Sequence, residues 1–217
     1  MTRKKQAVIF MGLKTTGKDY NSVAYIDAGF KKIALADSLR DMLWSIIGYK
    51  PNKEFTYNEM KHSILSAEKN SKFLGFIPSV QDIAITSIRK MLQNLGTVMK
   101  DMFGENFWVN IWYKKVLEAD CNIVCTDCRF PNEIKKALSL EKKGYDVNFI
   151  WVCYNKANFE EILKDTHESE QFAQYLYYNS DKYGLYDLCK INNVQMKKIL
   201  KEYDKFIKMK NDIANTL

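Results

Sequence analysis

A chain of 217 residues, 47% hydrophobic and 27% charged, with three prolines and nine glycines, is long and apolar enough to bury a core, which excludes a disordered or low-complexity protein. Its net charge is +7, but the lysines are scattered through nearly every segment, and Lys197, Lys198, Lys201 and Lys205 read as a solvated helix face. A nucleic-acid partner is therefore not expected, and the positive charge suits small polyphosphate ligands instead.

Residues 7–11 (AVIFM) form a short continuous apolar run, as in a strand buried on both faces of a parallel sheet. The run is too short for a secretory core or a membrane span, and no other uncharged run approaches the ~20 residues a spanning helix needs. The expectation is a soluble, cytoplasmic protein with no membrane partner. After the loop of residues 12–19 a helix covers 20–26 and ends near Gly29, and residues 31–36 read as a second strand. Asp37 or Ser38 caps a helix to Ile47, whose apolar residues Leu39, Met42, Leu43, Ile46 and Ile47 keep helical spacing.

Residues 48–78 are polar and irregular, an insertion able to cover a substrate. A helical pattern runs from Val80 toward Lys100, and another spans 107–119. Residues 122–126 form a buried strand, 132–143 a helix and 146–153 a further strand. Two short helices, 158–163 and 168–177, surround a polar joint. A last strand covers 186–191, and Asn193 caps a closing helix over 194–209. Alternating strands and helices predict an α/β fold with a doubly wound parallel sheet, in one domain spanning 1–217. The cysteines Cys121, Cys125, Cys128, Cys153 and Cys189 are odd in number and mostly sit in apolar runs, as in a reducing compartment. Cys125 and Cys128 have a metal-like spacing but no second pair, so they read as buried strand thiols. Trp108, Trp112 and Trp151 read as core.

Gly12-Leu13-Lys14-Thr15-Thr16-Gly17-Lys18 satisfies G-x-x-x-x-G-K between a strand and a helix. Gly12 and Gly17 open backbone angles that let consecutive amides turn toward phosphate oxygens. The helix N-terminus adds partial positive charge, and Lys18 reaches the β- and γ-phosphates of ATP. Lys14, Thr15 and Thr16 complete the cradle. Asp19 stands where a Ser or Thr usually ligates Mg²⁺. It either holds that ion, directly or through water, or simply favours the helix N-terminus as a carboxylate.

This loop resembles the phosphate loop of the bacteriophage deoxynucleoside monophosphate kinases, usually Gly-x-Lys-x-Ser-Gly-Lys-Asp. Four more stretches resemble that family in the same order. Ala34-Leu35-Ala36-Asp37-Ser38-Leu39-Arg40 resembles its A-x-A-D-P-L-K. Arg89-Lys90-Met91-Leu92-Gln93-Asn94-Leu95-Gly96-Thr97 resembles R-x-x-L-Q-x-x-G-T, with Phe107-Trp108-Val109 following. Asp127-Cys128-Arg129-Phe130-Pro131-Asn132-Glu133 resembles D-x-R-F-x-N-E, and His167-Glu168-Ser169-Glu170 resembles H-x-S-E. The likeness runs from the first strand to about Asn193. It implies an adenylate-kinase-like P-loop fold, phosphorylation of dNMP to dNDP with ATP and Mg²⁺, an acceptor-binding helical region over about 37–118 and a lid-like segment over about 154–180. If the origin is viral, the compartment is the host cytoplasm. Small-molecule substrates, dNMP and ATP, are the expected partners, with a homodimer as the expected assembly. The chain departs from the family at Lys156, where an Arg often follows the strand into the lid, and at Lys100, where an Arg is frequent.

Within these motifs Arg89 and Gln93 share a helix face, and Gly96 on it lets a ligand approach. Arg89 is suited to grip an acceptor phosphate and Gln93 to pair with a base edge; the alternative is a solvated helix face. Arg40 and Thr97 join the acceptor group. Asp127 ends a strand where α/β sheets bind ligands; it either orients Mg²⁺ with Asp19 or caps the following turn. Arg129 would neutralise charge on the transferring phosphoryl group. Lys156, His167, Ser169 and Glu170 form the lid group. Two alternatives remain: a P-loop kinase for another phosphorylated metabolite such as phosphomevalonate, and an ATP-binding module acting on DNA.

Overall fold

A computed structural model describes residues 4–47, 64–66, 85–153, 163 and 168–214. In chain order the elements are β1 (Lys5–Met11), α1 (Lys18–Asp27), β2 (Lys31–Lys32), α2 (Asp37–Ile47), β3 (Ile64–Ser66), β4 (Ile85–Ser87), α3 (Ile88–Phe103), α4 (Phe107–Ala119), β5 (Ile123–Cys125), α5 (Pro131–Leu138), β6 (Tyr145–Val152), α6 (Glu168–Tyr178), α7 (Ser180–Tyr183), β7 (Leu188–Ile191) and α8 (Asn193–Ala214). They divide into two compact units, a sheet unit (Met1–Ala34 with Trp112–Leu217) and a helical unit (Leu35–Ile111). Among the described residues no helix is long and apolar enough to cross a membrane.

The sheet unit is built on β1. Strand order is β2-β5-β1-β6-β7, so β1 is central. Ala7, Val8, Ile9, Phe10 and Met11 are all buried, as a strand covered on both faces requires. β1 runs parallel to β5 (Ala7↔Ile123) and, along its whole length, to β6 (Lys5↔Tyr145 to Met11↔Trp151). Val8, Phe10, Val124, Ile150 and Val152 form one core cluster, with Tyr25 of α1 and Phe30 packed on it. β7 differs from the expected parallel arrangement: it pairs with β6 antiparallel, Phe149↔Ile191 to Val152↔Leu188. The sheet is therefore mostly parallel with one reversed edge strand.

Several boundaries shift for identifiable reasons. β2 stops at Lys32 rather than Ala36. Ile33 N still bonds the Val124 carbonyl at 2.9 Å, but its own carbonyl is taken by the Trp112 indole at 3.0 Å. The helix expected from Val80 begins only at Ile88; Ile85, Thr86 and Ser87 pair antiparallel with residues 64–66 as a short ladder, a conformation β-branched residues favour. Residues 80–84 lie outside the described ones, as do most of 48–78 and 154–162. Over 132–143 the α-helix ends at Leu138 and a 3₁₀ turn, Ser139–Lys143, follows. All five cysteines are free, with Cys125, Cys128 and Cys153 buried. Trp108, Trp112 and Trp151 are core residues.

The cap of α8 is Asn192, not Asn193. Asn192 Oδ1 accepts from Gln195 N at 2.9 Å, while Asn193 lies inside the first turn and its amide donates to Glu141 at the surface. Asn192→Ala should therefore lower unfolding free energy by about 0.5–2 kcal/mol in urea, with Asn193→Ala costing less. An equal loss from the two would contradict the assignment.

Candidate active site

The loop between β1 and α1 is shaped by two glycines and a strained threonine. At Gly12 φ is +143°, and a Cβ there would lie 2.1 Å from the Val152 carbonyl oxygen on β6. No side chain fits between those backbones. Thr15 adopts φ 63° without being glycine, a conformation that costs free energy and clusters at ligand sites. Thr16 is buried and its hydroxyl donates to Leu13 O at 2.9 Å, closing the loop on itself. Gly17, at φ 90°, precedes α1 and makes no side-chain cap. A helix start built this way turns its first amides toward an anion.

Lys18 opens α1 and is 8% exposed. Its ammonium donates to the carbonyls of Gly12 (3.0 Å) and Leu13 (2.6 Å). Burial, and then the nearby Arg129 cation, lower its pKa to about 8, against partial compensation by Glu170, Asp19 and Asp127. Asp19 is exposed; its Oδ1 accepts from the Thr126 hydroxyl at 2.7 Å and lies 3.4 Å from Lys32 Nζ. Thr126 thus ties the start of α1 to the end of β5.

Beyond β5, Asp127 accepts from the Cys125 thiol at 3.4 Å. The segment 127–130 is then pinned by Glu133, whose Oε2 accepts from the backbone N of Arg129 (2.6 Å) and of Phe130 (2.9 Å). This glutamate, with Pro131 opening α5, follows the helix-start pattern. Burial pushes its pKa up to about 7, against the two amide bonds. Arg129 Nη1 donates to Glu170 at 2.6 Å. Glu170 belongs to the first turn of α6 and is 3% exposed, so it lies against the loop rather than on an exposed lid surface. Ser169 sits beside it.

The sheet unit thus gathers Gly12, Lys14, Thr15, Thr16, Gly17, Lys18, Asp19, Asp127, Arg129, Ser169 and Glu170. From the sequence Glu133 stands only as the last residue of the D-x-R-F-x-N-E likeness, and Thr126 has no role of its own. Glu133 had a legible signal, three residues past a helix start, whereas Thr126 depends on a contact across 107 residues. The helical unit carries the other group. There Leu43 and Trp44 of α2 pack with Ile88, Met91, Leu92 and Leu95 of α3. Arg40 Nη1 bonds Asp37 at 2.9 Å, and the Thr97 hydroxyl donates to Gln93 O at 3.1 Å. At Gly96 a Cβ would meet only Leu39 Cδ2, at an ordinary 3.5 Å, and its carbonyl accepts from the Trp108 indole at 3.1 Å. Packing inside this unit therefore does not demand glycine there. Arg89 lies in the first turn of α3; its side chain, like Lys156 and His167, is outside the described residues.

Among the described residues no group of three or more His, Cys, Asp or Glu side chains could hold a metal by itself. Mg²⁺, however, is usually held by one or two carboxylates completed by phosphate oxygens and water. Asp19 and Asp127, whose charges both act on Lys18, fit that donor set.

A family model described as deoxynucleotide monophosphate kinase matches residues 44–181. The matched stretch takes in Arg89 to Thr97, Asp127 to Glu133 and Ser169-Glu170; the loop of residues 12–19 lies upstream of it. No curated protein matches the chain.

Glu133 generates a pH test. A carboxyl whose pKa rises from 4.5 to about 7 on folding contributes stability that is complete below 4.5 and is lost as pH rises through about 7. Glu133→Gln, which keeps the acceptor oxygen without the charge, should flatten the fall in unfolding free energy between pH 5 and 8. An unchanged slope would mean that Glu133 is ionised throughout.

Proposed function

Because the chain belongs to the deoxynucleotide monophosphate kinase family, whose activity is a phosphotransfer to a nucleoside monophosphate, we propose that it converts dNMP to dNDP with ATP by direct in-line γ-phosphoryl transfer. The observation that carries this reading is a desolvated lysine at a helix start, inside a glycine loop, with Asp19, Asp127 and Arg129 within electrostatic reach. The match on 44–181 supports the acceptor class, and the loop upstream of it supports ATP as the donor.

In this mechanism the amides of residues 12–19 and the N-terminus of α1 take the β- and γ-phosphates. Lys18 lies where negative charge is densest, and its low-dielectric surroundings strengthen each contact it makes. Asp19 and Asp127 would hold Mg²⁺, which would neutralise charge on the phosphates. Thr126 and Lys32 keep the Asp19 carboxylate at the end of β5. Arg129 presents its guanidinium to the phosphoryl group in transit. The helical unit takes the acceptor, with Arg89 gripping its phosphate, Gln93 reading the base edge, and Arg40, Gly96 and Thr97 beside them. No side chain needs to be phosphorylated, since phosphoryl transfer is catalysed mainly by positioning and electrostatics.

The test is ADP release over a panel of dNMPs, NMPs and phosphomevalonate, with variants of each site. Deoxynucleotides should stimulate release, and Lys18→Ala should lower turnover by at least about 10²-fold while the protein stays folded. Arg89→Ala should weaken dNMP binding more than ATP binding. Gln93→Ala should reorder the bases, since an unpaired base contact is worth ~1–3 kcal/mol. Release stimulated only by phosphomevalonate, or near-native turnover of folded Lys18→Ala, would overturn the assignment.

A further inference from the structure

Both oxygens of the buried Glu170 carboxylate are committed. Oε1 accepts from Arg129 Nη1 at 2.6 Å and from its neighbour Ser169 Oγ at 3.4 Å. Oε2 accepts from the backbone N of Lys14, in the glycine loop, at 3.3 Å. A first-turn acid is favourable at any helix N-terminus, which is enough to explain Glu168, an exposed residue on the same turn. It does not explain a carboxylate buried against a loop 156 residues earlier in the chain. Such a charge is retained when it is paired and its lone pairs are filled, and here the partners are two groups of the candidate site.

Arg129 is clamped twice. Glu133 holds its backbone amide at 2.6 Å, and Glu170 holds the far end of its side chain. An arginine carries five N–H donors in a rigid planar fork, so fixing one donor orients the others. Lys18 and Arg129 are two cations close enough to lower the lysine's pKa, and the Glu170 charge opposes that effect. Asp19 and Asp127 are the other charged groups acting on Lys18.

We propose that Glu170 is a positioning residue for phosphoryl transfer: from α6 it locks the Arg129 guanidinium to the glycine loop, so that the arginine's remaining donors meet the transferring group in a preset direction. The inference rests on the loop being the ATP site, and it adds a residue that acts through Arg129 rather than on substrate. Prealignment of this kind belongs to the turnover step more than to acceptor binding, because misplacing a catalytic group by about 1 Å costs roughly 10²-fold in rate.

A double-mutant cycle on the full chain tests this. Glu170→Gln should lower kcat by about 10²-fold with the KM for dNMP changed less than about twofold, and Arg129→Gln should do the same. The double variant should lose little beyond either single one, because the two residues act as one unit. Arg129→Lys, which leaves Glu170 intact, should lose nearly as much as Arg129→Gln, since an ammonium offers no oriented fork. Multiplicative losses in the double variant, native kcat in Glu170→Gln, or native kcat in Arg129→Lys would each overturn the proposal. A readout independent of activity is the ¹⁵N spectrum of the Arg129 guanidinium. Rotation should be slow in the wild type and fast in Glu170→Gln, and identical rotation would also overturn it. If the wild type phosphorylates no nucleotide while the NMR contrast holds, the functional reading fails and the clamp survives.

Discussion

Where β1 gives way to the loop, the backbone of Gly12 runs so close to the Val152 carbonyl that a methyl group at Gly12 would stand 2.1 Å from it. That approach is made at the end of the long β1–β6 ladder, whose last pair is Met11↔Trp151. Because the strands stay together to this point, the chain must turn back within a few residues, and the left-handed angles at Thr15 and Gly17 complete the turn. α1 then starts with Lys18 folded over the loop it has just left. Burial of the ammonium, the direction of the first helical amides and the exposure of Asp19 all follow from that geometry.

The charges around the loop come from separate elements and are held by separate devices. Asp19 is fixed from the end of β5 by Thr126, the 127–130 segment by Glu133 of α5, and Arg129 by Glu170 of α6. Lys18 and Glu133 are both desolvated, with opposite consequences. The depressed lysine makes folding more favourable as pH rises from about 8 toward 10.5, because over that interval the unfolded chain binds a proton the folded chain has lost. The raised glutamate works the other way at lower pH.

Features set by local backbone chemistry were legible in the sequence. The apolar run of β1 and the glycine spacing of the loop state their geometry in a dozen residues, and the family likeness of the later motifs agrees with the match over 44–181. What was not legible depends on partners far along the chain. Nothing in residues 188–191 signals that β7 reverses direction, since an edge strand's orientation is settled by its neighbour. The early end of β2 needs Trp112, and residues 85–87 become a strand only by pairing with 64–66. The Asn192-Asn193 pair was misassigned because two adjacent residues of the same type compete for one cap.

If the loop of residues 12–19 receives the phosphates of ATP, amide hydrogen exchange measured with ATP and Mg²⁺, in the absence of acceptor, should slow at Gly17, Lys18 and Asp19, where helix-start amides would bond phosphate oxygens. Unchanged exchange at these amides, with protection confined to α2 and α3, would contradict it.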